Sequence, residues 1–126
     1  MDFIPEALLH YCENFSEKEN ELLKQLNRET HLKISSPRML SGHLQGRILS
    51  FLSKLVSPQY ILEIGTYTGY SAICLSEGLA DGGMLHTIDI NEELASMVRR
   101  YLKEGGLEKK ITYHIGDATQ LIPQMK

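Results

Sequence analysis

The sequence predicts one α/β domain in which a parallel sheet follows a helical N-terminal region. Apolar residues recur at helical spacing over 1–56, whereas 57–126 alternates short apolar runs with amphipathic stretches. Glycines and prolines separate these segments. A chain of 126 residues suits one hydrophobic core better than two. We therefore predict a single domain over 1–126, with a helical region followed by a βαβαβ unit.

Composition and charge argue against several classes of protein. The net charge of −3 gives no general electrostatic reason to bind nucleic acid or an anionic membrane. No apolar stretch approaches the roughly 20 residues of a membrane span, and acidic residues near the N-terminus are untypical of a signal peptide. Cys12 and Cys74 lack C-x-x-C spacing, which indicates free thiols. We expect a cytoplasmic protein without a disulfide framework.

Two helices are predicted before the first proline-rich break. Apolar residues between Ile4 and Phe15 define the first. Ser16-Glu17-Lys18-Glu19 has the pattern of a capping box, so Ser16 is expected to cap a second helix and Glu19 to reach back to it. That second helix would carry Leu22, Leu23 and Leu26. Pro37 marks the break after it, because proline disfavours helix in the preceding residue.

A third helix is predicted from Gly42 to Val56. Its apolar residues lie on one stripe of the helix: Leu44, Ile48, Phe51, Leu52 and Leu55.

The second region alternates strands and helices. The predicted segments in order are a strand at 59–65, a helix at 69–80, a strand at 84–90, a helix capped by Asn91 and ended by Gly105-Gly106, a strand at 111–115 and a short helix after Gly116. Such alternation predicts right-handed crossovers and a parallel sheet. Ligands bind such sheets beyond the carboxyl ends of the strands. The candidates there are Glu63 with Gly65, Asp89, and Gly116 with Asp117.

The glycine loop has the pattern E-x-G-x-x-x-G from Glu63 to Gly69. A dinucleotide fold would show G-x-G-x-x-G, but Tyr67 stands at its middle glycine, and the loop has no P-loop lysine. Glu63 would also repel a pyrophosphate at the following helix N-terminus. A cationic, phosphate-free nucleoside such as S-adenosylmethionine (SAM) fits better.

Three acidic side chains would then match the parts of that nucleoside. Glu63 would lie near the amino-acid part, Asp89 could accept both ribose hydroxyls, and Asp117 could reach the adenine amino group. A tight strand–helix turn would also explain Gly65 and Gly69, and Asp117 could simply be a helix N-cap.

On these motifs the chain resembles the SAM-dependent O-methyltransferases of the catechol and caffeoyl-CoA type. The resemblance covers roughly Pro37 to Met125 and includes "RMLSGHLQGRILSFL", "ILEIGTYTGYSAICL", "LHTIDIN" and "YHIGDATQLIPQM". It implies a Rossmann-like class-I methyltransferase sheet, of which this chain would form the N-terminal half. It also implies SAM contacts at Met39, Ser41, Glu63, Gly65, Tyr67, Ser71, Asp89, Gly116, Asp117 and Ala118.

The resemblance further implies a divalent metal, Mg²⁺ or Ca²⁺. The family's metal ligands fall beyond Lys126, so we assign no metal ligand and no catalytic residue here. The five histidines are scattered without zinc-ligand spacing. Three strands alone would have the order 3-2-1, which leaves residues 60–64 as an exposed edge. We therefore expect an incomplete domain that does not catalyse alone.

The implied reaction is methyl transfer to a hydroxyl of a small catechol-like acceptor. Two alternatives stay open: a tRNA hydroxyuridine methyltransferase, and a non-catalytic SAM-binding or dimerisation fragment. The resemblance also implies a homodimer built partly through the N-terminal helices.

Overall fold

The structure, a computed structural model, describes residues 3–125. Its α-helices are α1 (Glu6–Asn14), α2 (Glu21–Lys33), α3 (Gly42–Val56), α4 (Tyr70–Ser76), α5 (Ala95–Glu104) and α6 (Ala118–Leu121). Its strands are β1 (Tyr60–Ile64), β2 (Met84–Asp89) and β3 (Ile111–Ile115). The predicted alternation of strands and helices is confirmed, although α4 ends before the expected Ala80.

The three strands form a parallel sheet in the order β1-β2-β3. Glu63 of β1 lies opposite Thr87 of β2, and Asp89 at the end of β2 lies opposite Ile115 of β3. In the described part of the chain β1 is an edge strand, as predicted. Its side chains on one face are widely exposed, Tyr60 to 74% and Ile64 to 66%.

The hydrophobic core lies between the helices and the other face of the sheet. It joins α2, α4 and α5 to the sheet through Leu23, Leu26, Tyr70, Ala72, Ile73, Val98, Tyr101, Leu85, Ile111 and Tyr113. Cys74 is fully buried within this core and is a packing residue. The core thereby holds one face of the sheet against helices and leaves the carboxyl ends of the strands accessible.

The predicted capping box at Ser16 is wrong. The Ser16 hydroxyl instead donates to the Cys12 carbonyl oxygen at 2.6 Å, where it satisfies an orphan carbonyl at the end of α1. The cap of α2 is Asn20, whose Oδ1 accepts from the Leu23 amide at 2.9 Å. Glu19 accepts from the Tyr70 hydroxyl rather than reaching back to an N-cap amide.

The predicted apolar stripe of α3 does not face the core of the described residues. Phe51 is 64% exposed and Leu55 is 72% exposed. The buried residues of this helix are small or polar: Gly46, Ser50 and Ser53. This surface lets α3 approach α4 closely, because a Cβ at Gly46 would lie 2.7 Å from the Tyr70 ring.

A partly buried ion pair reinforces the contact between α3 and α4. The Arg47 guanidinium donates to both carboxylate oxygens of Glu77 at 2.8 and 3.0 Å, and the Ser50 hydroxyl donates to the same carboxylate. This bidentate arrangement fixes the position of α3 relative to α4.

Among residues 3–125, no helix is both long enough and apolar enough to cross a bilayer.

The corrected cap gives a direct test. Asn20→Ala removes the acceptor for the Leu23 amide, and we expect the free energy of unfolding to fall by about 1 kcal/mol. Ser16→Ala is the matched control, and its loss should be about half as large or less, because Ser16 only satisfies a carbonyl at the end of α1. Urea denaturation measures both. A larger loss for Ser16→Ala than for Asn20→Ala would restore the capping box.

Candidate functional site

A cavity of about 290 Å³ lies at the carboxyl ends of the strands. It is lined by Ile64, Gly65, Ile88, Asp89, Ile90, Gly116, Asp117 and Ala118. The structure therefore brings together five of the ten residues predicted to contact a ligand. The three isoleucines were not predicted, and their place directly beside the strand ends is the signal that could have found them.

Gly65 opens the backbone of the first loop toward this cavity. Its φ is +98°, a conformation that residues with a Cβ rarely adopt, and a Cβ built there would meet no atom within 4 Å. The Gly65 amide donates to the Ile88 carbonyl at 2.8 Å, so the turn is fastened to the end of β2. A ligand can therefore approach the main chain at Gly65 without a side chain in between.

Asp89 connects three segments at the mouth of the cavity. Its carboxylate accepts from the Tyr67 amide at 2.7 Å through Oδ2 and from the Asn91 amide at 2.9 Å through Oδ1. Its main-chain carbonyl accepts from the Gly116 amide at 2.9 Å. Each carboxylate oxygen can accept more than one hydrogen bond, so Asp89 can still receive donors from a ligand.

Asp117 caps α6, as one of the two interpretations of this residue anticipated. Its Oδ1 accepts from the Thr119 amide at 2.8 Å and from the Thr119 hydroxyl at 2.7 Å. These bonds stabilise the charged form and hold the pKa of the Asp117 carboxyl below its usual value. Asp117 also lines the cavity, so it is ionised there at neutral pH.

Glu63 faces the helix-covered side of the sheet rather than the cavity. The Ser71 hydroxyl donates to Oε1 and the Thr87 hydroxyl donates to Oε2, each at 2.5 Å. Burial raises the pKa of the Glu63 carboxyl above its ordinary value of 4.5, although both hydroxyl bonds oppose the shift. Thr87 was not predicted; its signal is its position two residues before Asp89, on the same face as Glu63.

Tyr67 links the glycine loop to the segment before α3. Its backbone has φ +52°, which is uncommon for a residue other than glycine. Its hydroxyl donates to the Ser36 carbonyl at 2.7 Å. That segment carries Met39, which is 67% exposed at the end of a 3₁₀ turn, and Ser41 at the start of α3. Neither Met39 nor Ser41 lines the cavity.

The described residues offer no metal centre. Within residues 3–125, no group of three or more His, Cys, Asp or Glu side chains is placed to hold an ion. Two of the histidines are nevertheless not scattered in space. His86 and His114 lie on adjacent strands with Nδ1 and Nε2 3.0 Å apart, and burial lowers the pKa of His114.

The buried position of Glu63 predicts a pH dependence of stability. Because its pKa is raised in the folded state, Glu63 contributes most below its ordinary pKa of 4.5, and this contribution is lost as pH rises through the folded-state pKa. Glu63→Gln removes the titration. We expect the free energy of unfolding of the variant, relative to wild type, to increase between about pH 4 and pH 8 in urea denaturation.

Gln45→Ala is the control for this experiment, because Gln45 is exposed on the surface and carries no titratable group. Its difference from wild type should stay flat over the same pH range. A Glu63→Gln difference that is equally flat would contradict the raised pKa of Glu63.

Comparison with known proteins finds a family that matches the sequence of this chain. The profile of the O-methyltransferase family matches residues 13–126. The caffeoyl-CoA O-methyltransferase of Stellaria longipes is 33% identical over 110 residues, which are 86% of this chain and 44% of that protein. The catechol O-methyltransferase of Mus musculus is 35% identical over 85 residues, which are 68% of this chain and 32% of that protein.

A solved structure agrees with the sequence comparisons. The O-methyltransferase TomG of Streptomyces achromogenes, involved in tomaymycin synthesis and solved in complex with SAM, superposes with a TM-score of 0.86 at 30% identity. The match covers 95% of this chain and 53% of TomG. The chain thus spans about half of TomG and less than half of the two relatives above. The family profile and both relatives show that the chain belongs to the O-methyltransferase family.

Proposed function

We propose that the cavity at the strand ends binds SAM, and that the chain is the cofactor-binding part of a SAM-dependent O-methyltransferase. The observation that carries this proposal is the chemistry of the lining. It contains the carboxylates of Asp89 and Asp117, and among the described residues that line it there is no lysine or arginine. Such a lining favours a cation over a phosphate-bearing nucleotide.

The lining also suits the adenosine part of SAM. Asp89 presents carboxylate oxygens that ribose hydroxyls could reach as donors. Asp117 and Ala118 would border the adenine, and the apolar side chains of Ile64, Ile88 and Ile90 would contact its faces. The exposed backbone of Gly65 leaves room for the part of the ligand next to the ribose.

The remaining predicted contacts surround the amino-acid end in this proposal. Glu63 stands behind the glycine loop and supplies negative potential toward the ligand cation when it is ionised. Ser71 already donates to Glu63, so its hydroxyl orients that carboxylate. Met39 and Ser41 would form a wall beside the methionine part of SAM, and the side chain of Tyr67 would join this wall to the glycine loop.

We propose an acceptor with a small hydroxylated aromatic group, because relatives of this chain are named caffeoyl-CoA and catechol O-methyltransferases. When bound, SAM would supply its sulfonium methyl group to the acceptor oxygen, with S-adenosylhomocysteine as the leaving group and the hydroxyl proton passing to solvent. The residues of this chain bind and orient the donor for that transfer. An assisting Mg²⁺ or Ca²⁺ stays an expectation from the family, since the described residues provide no ligand set for it.

Binding of SAM gives the primary test. Asp89→Asn keeps the shape of the side chain but removes the charge that the ribose hydroxyls would contact, and it weakens the bond to the Tyr67 amide. We expect the Kd for SAM in calorimetry to rise about tenfold or more, because hydrogen bonds to charged groups are worth roughly 1.5–3 kcal/mol.

Glu92→Gln removes a nearby exposed carboxylate and serves as the matched control, with a Kd close to that of wild type. NAD⁺ is the competing ligand, and its pyrophosphate should bind much more weakly than SAM. Unchanged SAM affinity in Asp89→Asn, or stronger binding of NAD⁺ than of SAM, would refute the assignment of the cavity.

The acceptor class is tested with SAM labelled in its methyl group. Where transfer occurs, we expect the label on a catechol or on caffeoyl-CoA rather than on bulk tRNA, because the chain has a net charge of −3 and little electrostatic attraction for RNA. Scintillation counting after separation of small molecules from RNA gives the result. Label in the tRNA fraction would favour the tRNA methyltransferase alternative.

A further inference from the structure

The segment between α2 and α3 is fastened to the glycine loop by one side chain. We propose that the Tyr67 hydroxyl acts as a latch that holds the Pro37–Met39 turn against the loop and thereby closes one wall of the SAM site. This inference rests on the proposed function. Tyr67 is a positioning residue in this role, because its hydroxyl acts through the turn and not on the reacting atoms.

The latch is a shared hydrogen-bond acceptor. The Ser36 carbonyl accepts from the Tyr67 hydroxyl at 2.7 Å and from the Met39 amide at 3.1 Å. The bond that closes the 3₁₀ turn and the bond that anchors it to the loop therefore meet at one oxygen. If the hydroxyl bond is lost, the turn keeps its local backbone bonds, which end at Leu40, and the packing of the Leu40 side chain against the core.

The other end of the latch is rigid. The Tyr67 amide donates to Asp89 at 2.7 Å, and its backbone stays at φ +52°. Its neighbours Thr66 and Thr68 are buried, with exposures of 1% and 0%. A residue in a sparsely populated conformation persists only where its surroundings determine it, so the backbone of Tyr67 is held in place.

A second contact anchors the end of α2 to the same loop. The Thr30 hydroxyl of α2 donates to the Leu26 carbonyl at 2.7 Å and accepts from the Thr68 hydroxyl at 3.2 Å, and the Thr30 and Thr68 side chains are both buried. The chain is thus fixed at Thr30 and again at Ser36, on neighbouring residues of the glycine loop. The part that follows Ser36, with Met39 at 67% exposure, is the part whose position the latch decides.

The hydroxyl is suited to act as a permanent donor. Burial raises the pKa of Tyr67 above its ordinary value of 10, so the hydroxyl keeps its proton at neutral pH. The bond itself is near the surface, where water can compete for it. The latch is therefore able to open, and its effect should be a change of several-fold in opening and release rather than a loss of folding.

Tyr67→Phe tests the latch, because it removes the hydroxyl and keeps the ring. Without SAM, we expect faster amide hydrogen exchange at Met39 and Leu40 in mass spectrometry, since both amides donate within the turn. With SAM, we expect dissociation to be about threefold to tenfold faster in stopped-flow measurements, the effect of one hydrogen bond.

Tyr101→Phe is the matched control. It removes a hydroxyl that donates to Glu29 at 2.6 Å and so joins α5 to α2, outside the proposed site. We expect it to lower the melting temperature while exchange at Met39 and Leu40 and the release of SAM stay as in wild type. A merely structural role for Tyr67 would make the two variants behave alike.

The two readouts separate the latch from the proposed function. Wild-type exchange at Met39 and Leu40 in Tyr67→Phe would overturn the latch, whatever SAM does. Faster exchange with unchanged SAM release would show that the turn is not a wall of the site, which also overturns the proposal. If the wild-type chain binds no SAM, the proposed function fails, and the exchange data alone decide whether the latch exists.

Discussion

The carboxylate of Asp89 is the point on which the geometry of the site depends. It accepts from the amides of Tyr67 and Asn91, while the main-chain carbonyl of the same residue accepts from Gly116. The glycine loop, the start of the helical segment before α5 and the turn after β3 are thus fixed to the end of the central strand. Parallel strands bring their carboxyl ends to one edge, and Asp89 converts that edge into a defined cavity.

Among residues 3–125, the core helices position this edge from one side of the sheet. Core residues of α2, α4 and α5 pack on the face that carries Leu85 and Ile111. α3 is placed by different means, since small side chains and the Arg47–Glu77 ion pair join it to α4. Arg47 also donates to Glu17, and Lys54 lies near Glu77, so the contact between the two helices belongs to a network of charges and not to one isolated pair.

Much of the fold could be predicted from the sequence, because strand and helix periodicities and the glycine turns are local signals. The strand ends followed from the same signals, and with them Asp89, Gly116 and Asp117. The direction of Glu63 could not be predicted, because it depends on its register opposite Thr87. The hydrogen bond from Tyr67 to Ser36 joins residues 31 positions apart in the sequence, so no local sequence pattern predicts it.

The differences between the sequence patterns and the structure, at α3 and at the cap of α2, also have physical causes. An apolar stripe on α3 shows which side chains avoid water, but it does not show which face is buried in this part of the chain. In the structure the small residues of α3 are the buried ones, because only they allow the close approach of α4. The capping box failed because Asn20 lies one residue before α2, where Ser16 is too far away to reach the free amides.

The outer edge of β1 is the place where this sheet can be extended. Among the described residues no strand pairs with it, and Tyr60, Leu62 and Ile64 are exposed beside it. A further strand, from the same polypeptide or from another, could pair there through main-chain hydrogen bonds, with apolar side chains packing beside them. Neither kind of contact depends on net charge, so addition of a strand at this edge should respond little to sodium chloride.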